Sequence, residues 1–363
     1  MMPRKPIITL LFAMLLAAPP AAAETATIAV VAPKDGPLSI IGRQVFDGAR
    51  FAAMASGIEV VEIGESCEED GDEGIAAAVK EANARAVIGF LCTEGLEKAL
   101  PQFAEAGIPA LTLSVRSGIV MEDALKKKWP LFRLAPGPNA EAEKAVEVMT
   151  RDWKAEPFAL IDDGTIRARE LVEAIRGKLE LVGMKPIFVD TFRPAQEQQI
   201  ALVRRLAKSG ATHVFVGGDR TDTAIIARDA KAEEVPLAVL GGEAMIAADE
   251  PVPMPQGVQA IAIPDYETLQ EGTAVAAQMR ENDIVAEGYA LPAYAAVTIA
   301  AEALKTAESE NRPVAEALID HSFQTVIGPV GFTAQHELRD NPYRLLEWRE
   351  GGFVPVPPAS AND

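Results

Sequence analysis

Short, nearly continuous apolar runs rich in valine and isoleucine alternate with longer stretches of helical period across most of this chain. Runs of that kind are apolar on both faces, which suits a parallel sheet covered by helices better than a half-solvated antiparallel one. The first is TIAVVA (27–32), followed by a helical pattern over about 44–55 and by IEVVEI (58–63). A helix over about 73–84 leads to AVIGFL (86–91), a helix over 94–106 and PALTLS (109–114). Pro101 should kink or split that last helix, because it lacks an N–H and crowds the preceding turn.

The same rhythm restarts after LAPGPNA (134–140). A helix over about 140–152 precedes FALIDD (158–163), and residues 165–183 are strongly helical. IFVDT (187–191), a helix over 198–209, HVFVGG (213–218), a helix over 221–232, LAVLGG (237–242) and VQAIAIP (258–264) follow. Two successive halves of this kind predict an α/β protein of two lobes, each built on a doubly wound parallel sheet. The alternation then breaks. Helices over about 266–282 and 290–308 precede GPVGFTAQ, and YRLLEWREGGFVPV (343–356) reads as two short strands around Gly351-Gly352. PPASAND (357–363) reads as a disordered tail.

Residues 1–23 join a basic start, MMPRK, to an apolar PIITLLFAMLLAAPP and to AAA before Glu24. That is the pattern of an export signal cleaved near Ala23/Glu24. Its apolar core is short and wrongly flanked for a transmembrane helix, an uncleaved anchor being the alternative. The mature chain, expected in the periplasm, then has about 340 residues, enough for two lobes. The formal charge of −19 becomes −21 once Arg4 and Lys5 leave with the signal. So acidic a surface argues against nucleic acid and anionic lipid as partners. The acidic stretch from Glu65 to Glu73 reads as a solvated loop and helix start. In an oxidising compartment Cys67 and Cys92 are expected to form a disulfide, with two buried free thiols as the alternative. These two cysteines and the scattered His213, His321 and His336 have no metal-ligand spacing, so neither a metal nor a cofactor is expected.

No nucleophile stands in a catalytic setting: there is no G-x-S-x-G, P-loop, H-E-x-x-H or glycine fingerprint after the first strand. His336-Glu337 lacks a second histidine, and Asp162-Asp163 ends a strand where carboxylates serve as turn formers. An enzyme is therefore not expected. The informative positions lie just beyond the strand ends, where open α/β sheets bind ligands. They are Thr93, Ser114 to Ser117 (with Arg116), Asp163 to Arg167, Asp219-Arg220 and Glu243. Thr93 either caps a helix or offers its hydroxyl and neighbouring backbone N–H groups to a carboxylate. Asp219 is a helix cap or a ligand contact, and Glu243 accepts from an ammonium group or is simply solvated.

At these residues the chain resembles the periplasmic leucine/isoleucine/valine-binding proteins, the receptors of branched-chain amino acid ABC importers. The resemblance covers the mature chain. It runs through IAVVAPKDGPLSIIGRQVFDGARFA, Cys67 with VIGFLCT, AGIPALTLS, LFRLAPG, GGDRTDTAIIARDA, LGGE, GPVGF and EWREGGFVP. It implies two lobes joined by a three-segment hinge: 24–137 plus about 265–343, and 138–264 plus about 344–356. It implies the Cys67–Cys92 disulfide, a monomer, and a ligand held in a cleft for delivery to an inner-membrane permease. An exported sensor of the same fold, signalling to a membrane partner, is the alternative. By the same resemblance Thr93 holds an amino acid's carboxylate, and the Ser114 carbonyl and Glu243 meet its ammonium. Arg116 replaces a small hydroxyl residue, Arg167 and Asp219 stand near aromatic positions, and Ile41 stands where an aromatic is frequent. A cation at Arg116 would repel an ammonium unless an acid such as Asp219 or Glu243 compensates it, and would instead suit a second carboxylate through a bidentate contact. It could equally point to solvent or pair with Asp219. The ligand expected is an amino acid or a related small carboxylate.

Overall fold

The structure, a computed structural model, describes residues 26–68, 74–247 and 251–357. The export signal, the end of the acidic loop and all but the first residue of the tail lie outside the described residues. The first half runs β1 (Thr27–Ala32), α1 (Ser39–Ser56), β2 (Glu59–Gly64), α2 (Ile75–Glu81), β3 (Ala86–Gly89), α3 (Thr93–Ala106), β4 (Ala110–Thr112), α4 (Gly118–Lys127) and β5 (Leu131–Arg133). The second runs α5 (Ala140–Asp152), β6 (Phe158–Asp162), α6 (Ile166–Leu181), β7 (Phe188–Thr191), α7 (Ile200–Ser209), β8 (His213–Gly217), α8 (Arg220–Ala232), β9 (Ala238–Gly241) and β10 (Gln259–Ala262). The chain ends with α9 (Gln270–Glu281), α10 (Ala290–Glu310), α11 (Val314–Ile319), β11 (Ser322–Thr325), β12 (Gly328–Gly331), β13 (Arg344–Arg349) and β14 (Gly352–Pro355).

The strands form two main sheets. One has the order β2-β1-β3-β4-β5 and the other β14-β13-β10-β9-β8-β6-β7, with β11 and β12 as a separate hairpin. All pairings in the first sheet are parallel. In the second, β7-β6-β8-β9-β10 repeats the same winding order, and β13 and β14 extend it antiparallel. Each doubly wound sheet therefore has a switch point, between β1 and β3 and between β6 and β8, where the crevice at the carboxyl ends opens.

The apolar runs are buried as their composition requires. Ile28 through Ala32 of β1 are completely covered, alternate residues entering cores on opposite faces of the first sheet. One core is filled by α1, α10 and α11, the other by α2, α3 and α4. The second sheet is covered by α7 and α8 on one face and by α5 and α6 on the other. Residues 290–310, far along the chain, thus seal the sheet made from its first strands.

The approach of α1 to α10 depends on Gly48. A Cβ there would lie 2.0 Å from the Ala290 carbonyl oxygen. Pro101 does not split α3, which runs unbroken from Thr93 to Ala106. Both Pro101 and Glu97, whose carbonyl loses its donor, lie on the exposed face, where water can replace the missing bond. The helix starting at 266 is instead a 3-10 turn, Tyr266–Thr268, set by the Asp265 side chain before α9 begins.

Three segments pass between the sheets: 134–139 after β5, 263–269 after β10, and 332–343 after β12. The third is tied to the end of the first sheet. Arg133 of β5, only 1 % exposed, donates Nε to Glu337 Oε2 at 2.8 Å and Nη1 to the Ser117 carbonyl at 3.2 Å, and its Nη2 bonds Glu337 Oε1. His336 stacks on Phe132, with ring centroids 4.2 Å apart. Cys67 and Cys92 are joined as a disulfide, Cα atoms 5.3 Å apart, linking the segment after β2 to the entry of α3.

Candidate functional site

A cavity of about 740 Å³ lies between the two sheets, beside the crossing segments. Its walls come from the loop after β4, the first two crossings, the entry to α10, the 3-10 turn Glu243–Ile246, and β13-β14. They are mostly apolar, with Leu113, Tyr289, Leu291, Leu346, Trp348 and Phe353 among them. Arg220 closes one side. Its buried guanidinium lies 4.5 Å from the Trp348 ring centroid, and Nη1 donates to the Met245 carbonyl at 3.0 Å.

Arg116 and Glu243 meet at this cavity from opposite halves of the molecule. Arg116 Nη1 donates to Glu243 Oε2 at 2.7 Å and Nη2 donates to Oε1 at 2.9 Å. Tyr343, at the end of the third crossing, donates its hydroxyl to Oε2 at 2.9 Å and accepts from Arg116 Nη1 at 3.1 Å. Arg167, in the first turn of α6, donates to the same Oε2 at 3.3 Å. Burial opposes the charge on Glu243, but the hydrogen bonds and charge of Arg116, Tyr343 and Arg167 outweigh it and hold the carboxyl below its usual range. The hydrogen bond from Arg116 to Glu243 raises the Arg116 pKa further, and burial pushes the Tyr343 phenol well up.

Glu141 completes the cluster from the first turn of α5. Its Oε1 accepts from the Glu243 backbone N–H at 2.6 Å, and burial raises its carboxyl pKa. The LGGE sequence explains the approach. A Cβ on Gly242 would lie 2.3 Å from Glu141 Oε1, so only glycine lets that carboxylate reach the backbone.

Of the residues expected from sequence, Arg116, Arg167 and Glu243 come together. Thr93 and Ser114 do not line the cavity; they follow the carboxyl ends of β3 and β4 in the chain, Thr93 at the start of α3. Thr93 is not a helix cap: Cys92, extended and held in the disulfide, occupies the cap position and Thr93 is the first helical residue. Asp219 is a cap, its side chain accepting from Asp222 N at 2.8 Å, and Arg116 pairs with Glu243 in preference to it. Ile41 lies half-buried in α1, away from the cavity. Sequence reasoning missed Tyr343, Glu141, Tyr289 and Trp348. Tyr343 and Trp348 lie inside YRLLEWREGG, whose alternation marks strands without saying which face meets a cavity.

The sequence pattern of the periplasmic binding proteins matches residues 25–352. The chain belongs to that family. Among curated relatives, this periplasmic binding protein is 25% identical over 367 residues to an amino acid binding protein of Pseudomonas aeruginosa, covering 96% of this chain and 97% of the other. It is 24% identical over 347 residues to a leucine-, isoleucine-, valine-, threonine- and alanine-binding protein of the same organism, covering 91% of each. Among solved structures, an ABC transporter substrate-binding protein from Desulfitobacterium hafniense in complex with Leu superposes with a TM-score of 0.65 at 18% identity, over 92% of this chain and 100% of that one. The fold is that of a type I periplasmic binding protein, two α/β lobes built on parallel sheets.

Proposed function

We propose that this chain is an extracytoplasmic solute-binding protein that captures an amino acid or related small carboxylate between its lobes and delivers it to the permease of an ABC importer. The observation that carries this reading is the cavity of about 740 Å³ between two sheets, where Arg116 of one half faces Glu243 and Arg167 of the other. A ligand placed there touches both lobes, so its binding can favour the closed arrangement over the open one. The curated relatives named above carry amino acids in their names, which supports the same ligand class. We take 24–137 with about 265–343 as one lobe and 138–264 with about 344–356 as the other. Residues 1–23 serve as the export signal, and the mature monomer works in the periplasm without catalysis.

Within the cleft, Arg116 and Arg167 supply positive charge for a carboxylate. Thr93 and Ser114 supply a hydroxyl and a carbonyl at the first lobe's rim. Asp219 fixes the entry of α8, and Glu243 sets the position of Arg116. The test is thermal unfolding and titration calorimetry of residues 24–363 against amino acids, aliphatic acids, aromatic acids and dicarboxylates. A true ligand at about 100 times its Kd raises the unfolding free energy by roughly 2.7 kcal/mol. If no carboxylate-bearing compound shifts the transition while a neutral sugar does, the reading is wrong.

A further inference from the structure

Glu243 is the acid that would be expected to hold an ammonium group, yet two cations and a phenol already occupy it. Its Oε2 accepts from Arg116, Tyr343 and Arg167, and its Oε1 from Arg116. An ammonium brought to this carboxylate would sit against two guanidinium groups, and like charges at hydrogen-bond range disfavour that strongly. The neighbouring acid, Glu141, is engaged by the Glu243 backbone N–H, and burial favours its neutral form. Among the described residues, the two other carboxylates lining the cavity, Asp265 and Glu287, are exposed. Asp265 accepts from Glu267 N at 3.2 Å and Glu287 from Gln44 Nε2 at 3.4 Å, and no hydrogen bond ties either to the cluster.

Arg116 differs from Glu243 in having a free face. Glu243 grips the guanidinium end-on through Nη1 and Nη2, while Nε–H and the second Nη2–H have no partner among the described residues. Those two donors point the same way and form the side edge that binds a second carboxylate as a fork. The side chain is 41% exposed and lines the cavity. Beyond it the walls are Leu113, Leu134, Tyr289, Leu291 and Leu346.

We infer that the cleft takes an organic monocarboxylate without an α-ammonium group, its carboxylate on the free edge of Arg116 and its apolar body along Tyr289, Leu291 and Leu346. Arg116 is then the specificity-determining residue, and Glu243 with Tyr343 positions its guanidinium. The inference rests on the solute-binding reading above and narrows its ligand.

The experiment uses pairs that differ only in the amine: 4-methylpentanoate against leucine, and 3-phenylpropanoate against phenylalanine, titrated into the mature chain. The acid without the amine should bind about tenfold tighter or more, the scale set by leaving a buried ammonium donor unpaired. Arg116→Ala should abolish that binding and Arg116→Lys recover only part of it, since an ammonium cannot form the fork. Glu243→Gln, whose neutral amide holds the guanidinium less firmly, should weaken the acids while leaving the preference for the amine-free partner in place. Melting curves identify variants that remain folded, and the paired comparison on the unmutated chain stands without them. If leucine or phenylalanine binds tighter than its partner and Glu243→Gln abolishes this, the inference is overturned and the solute-binding reading survives. If no carboxylate binds at all, both are overturned.

Discussion

Arg133 shows how much a single buried charge can demand of distant sequence. It ends β5, and its charge is answered by Glu337, on the third crossing. Removing Glu337 by substitution with Ala leaves that guanidinium buried and uncompensated, so we expect a loss of about 3–5 kcal/mol in urea unfolding. Asp222 gives a residue-scale prediction of opposite character. Burial, with the Asp219 charge beside it, pushes its carboxyl up to about 6. An acid raised in the folded state favours folding at low pH and loses that contribution as pH rises from about 4 to about 6. Asp222→Asn should remove that falling slope, seen as a wild-type-minus-variant difference in unfolding free energy across pH 4 to 7. A difference that rises with pH would contradict the assignment. Strand-end position placed Arg116, Arg167 and Glu243 in the sequence reading. Their mutual contact was not legible there, because a bond between residues 116 and 243 is set by how two lobes meet. Tyr343 was hidden for the same reason.

Whole elements were legible where periodicity is long. β1, β6, α5 and α6 lie where the pattern put them, since a fully apolar run or a sustained amphipathic face leaves one way to bury. The sequence reading did not foresee α4, β5, α11 and the β11-β12 hairpin. β5 is only Leu131–Arg133 and ends on a charge, so neither length nor hydropathy marks it as a strand. The hairpin contains Pro329 and three exposed positions, and tertiary contact defines it. The packing of α1 on α10 was similarly invisible, although its device is one glycine. Gly48→Ala places a methyl group 2.0 Å from the Ala290 carbonyl oxygen, which must push the helices apart. We expect a loss of about 1–3 kcal/mol, read as a lower urea midpoint, with ligand affinity in the folded fraction retained.

At the scale of the whole molecule, the Arg116–Glu243 pair joins the lobes across the cleft. Arg116→Ala should therefore increase the radius of gyration of the unliganded chain in X-ray scattering, and added salt should move the unmutated chain the same way by screening a half-exposed pair. An unchanged radius in both would mean that the crossings alone hold the lobes. The Cys67–Cys92 bond acts within one lobe, closing a loop with a sequence separation of 25. Its reduction should cost roughly 3–4 kcal/mol without opening the cleft. The position of α10 has a consequence for the order in which the molecule is made. β1 to β5 emerge first during synthesis, but the face of their sheet that meets Ala293, Ala296, Val297 and Ala300 is covered only in part, by α1, until those residues follow. The lobe begun first is the one completed late, so a chain halted before residue 290 carries its first sheet with one apolar face only half covered, surface of the kind that invites aggregation.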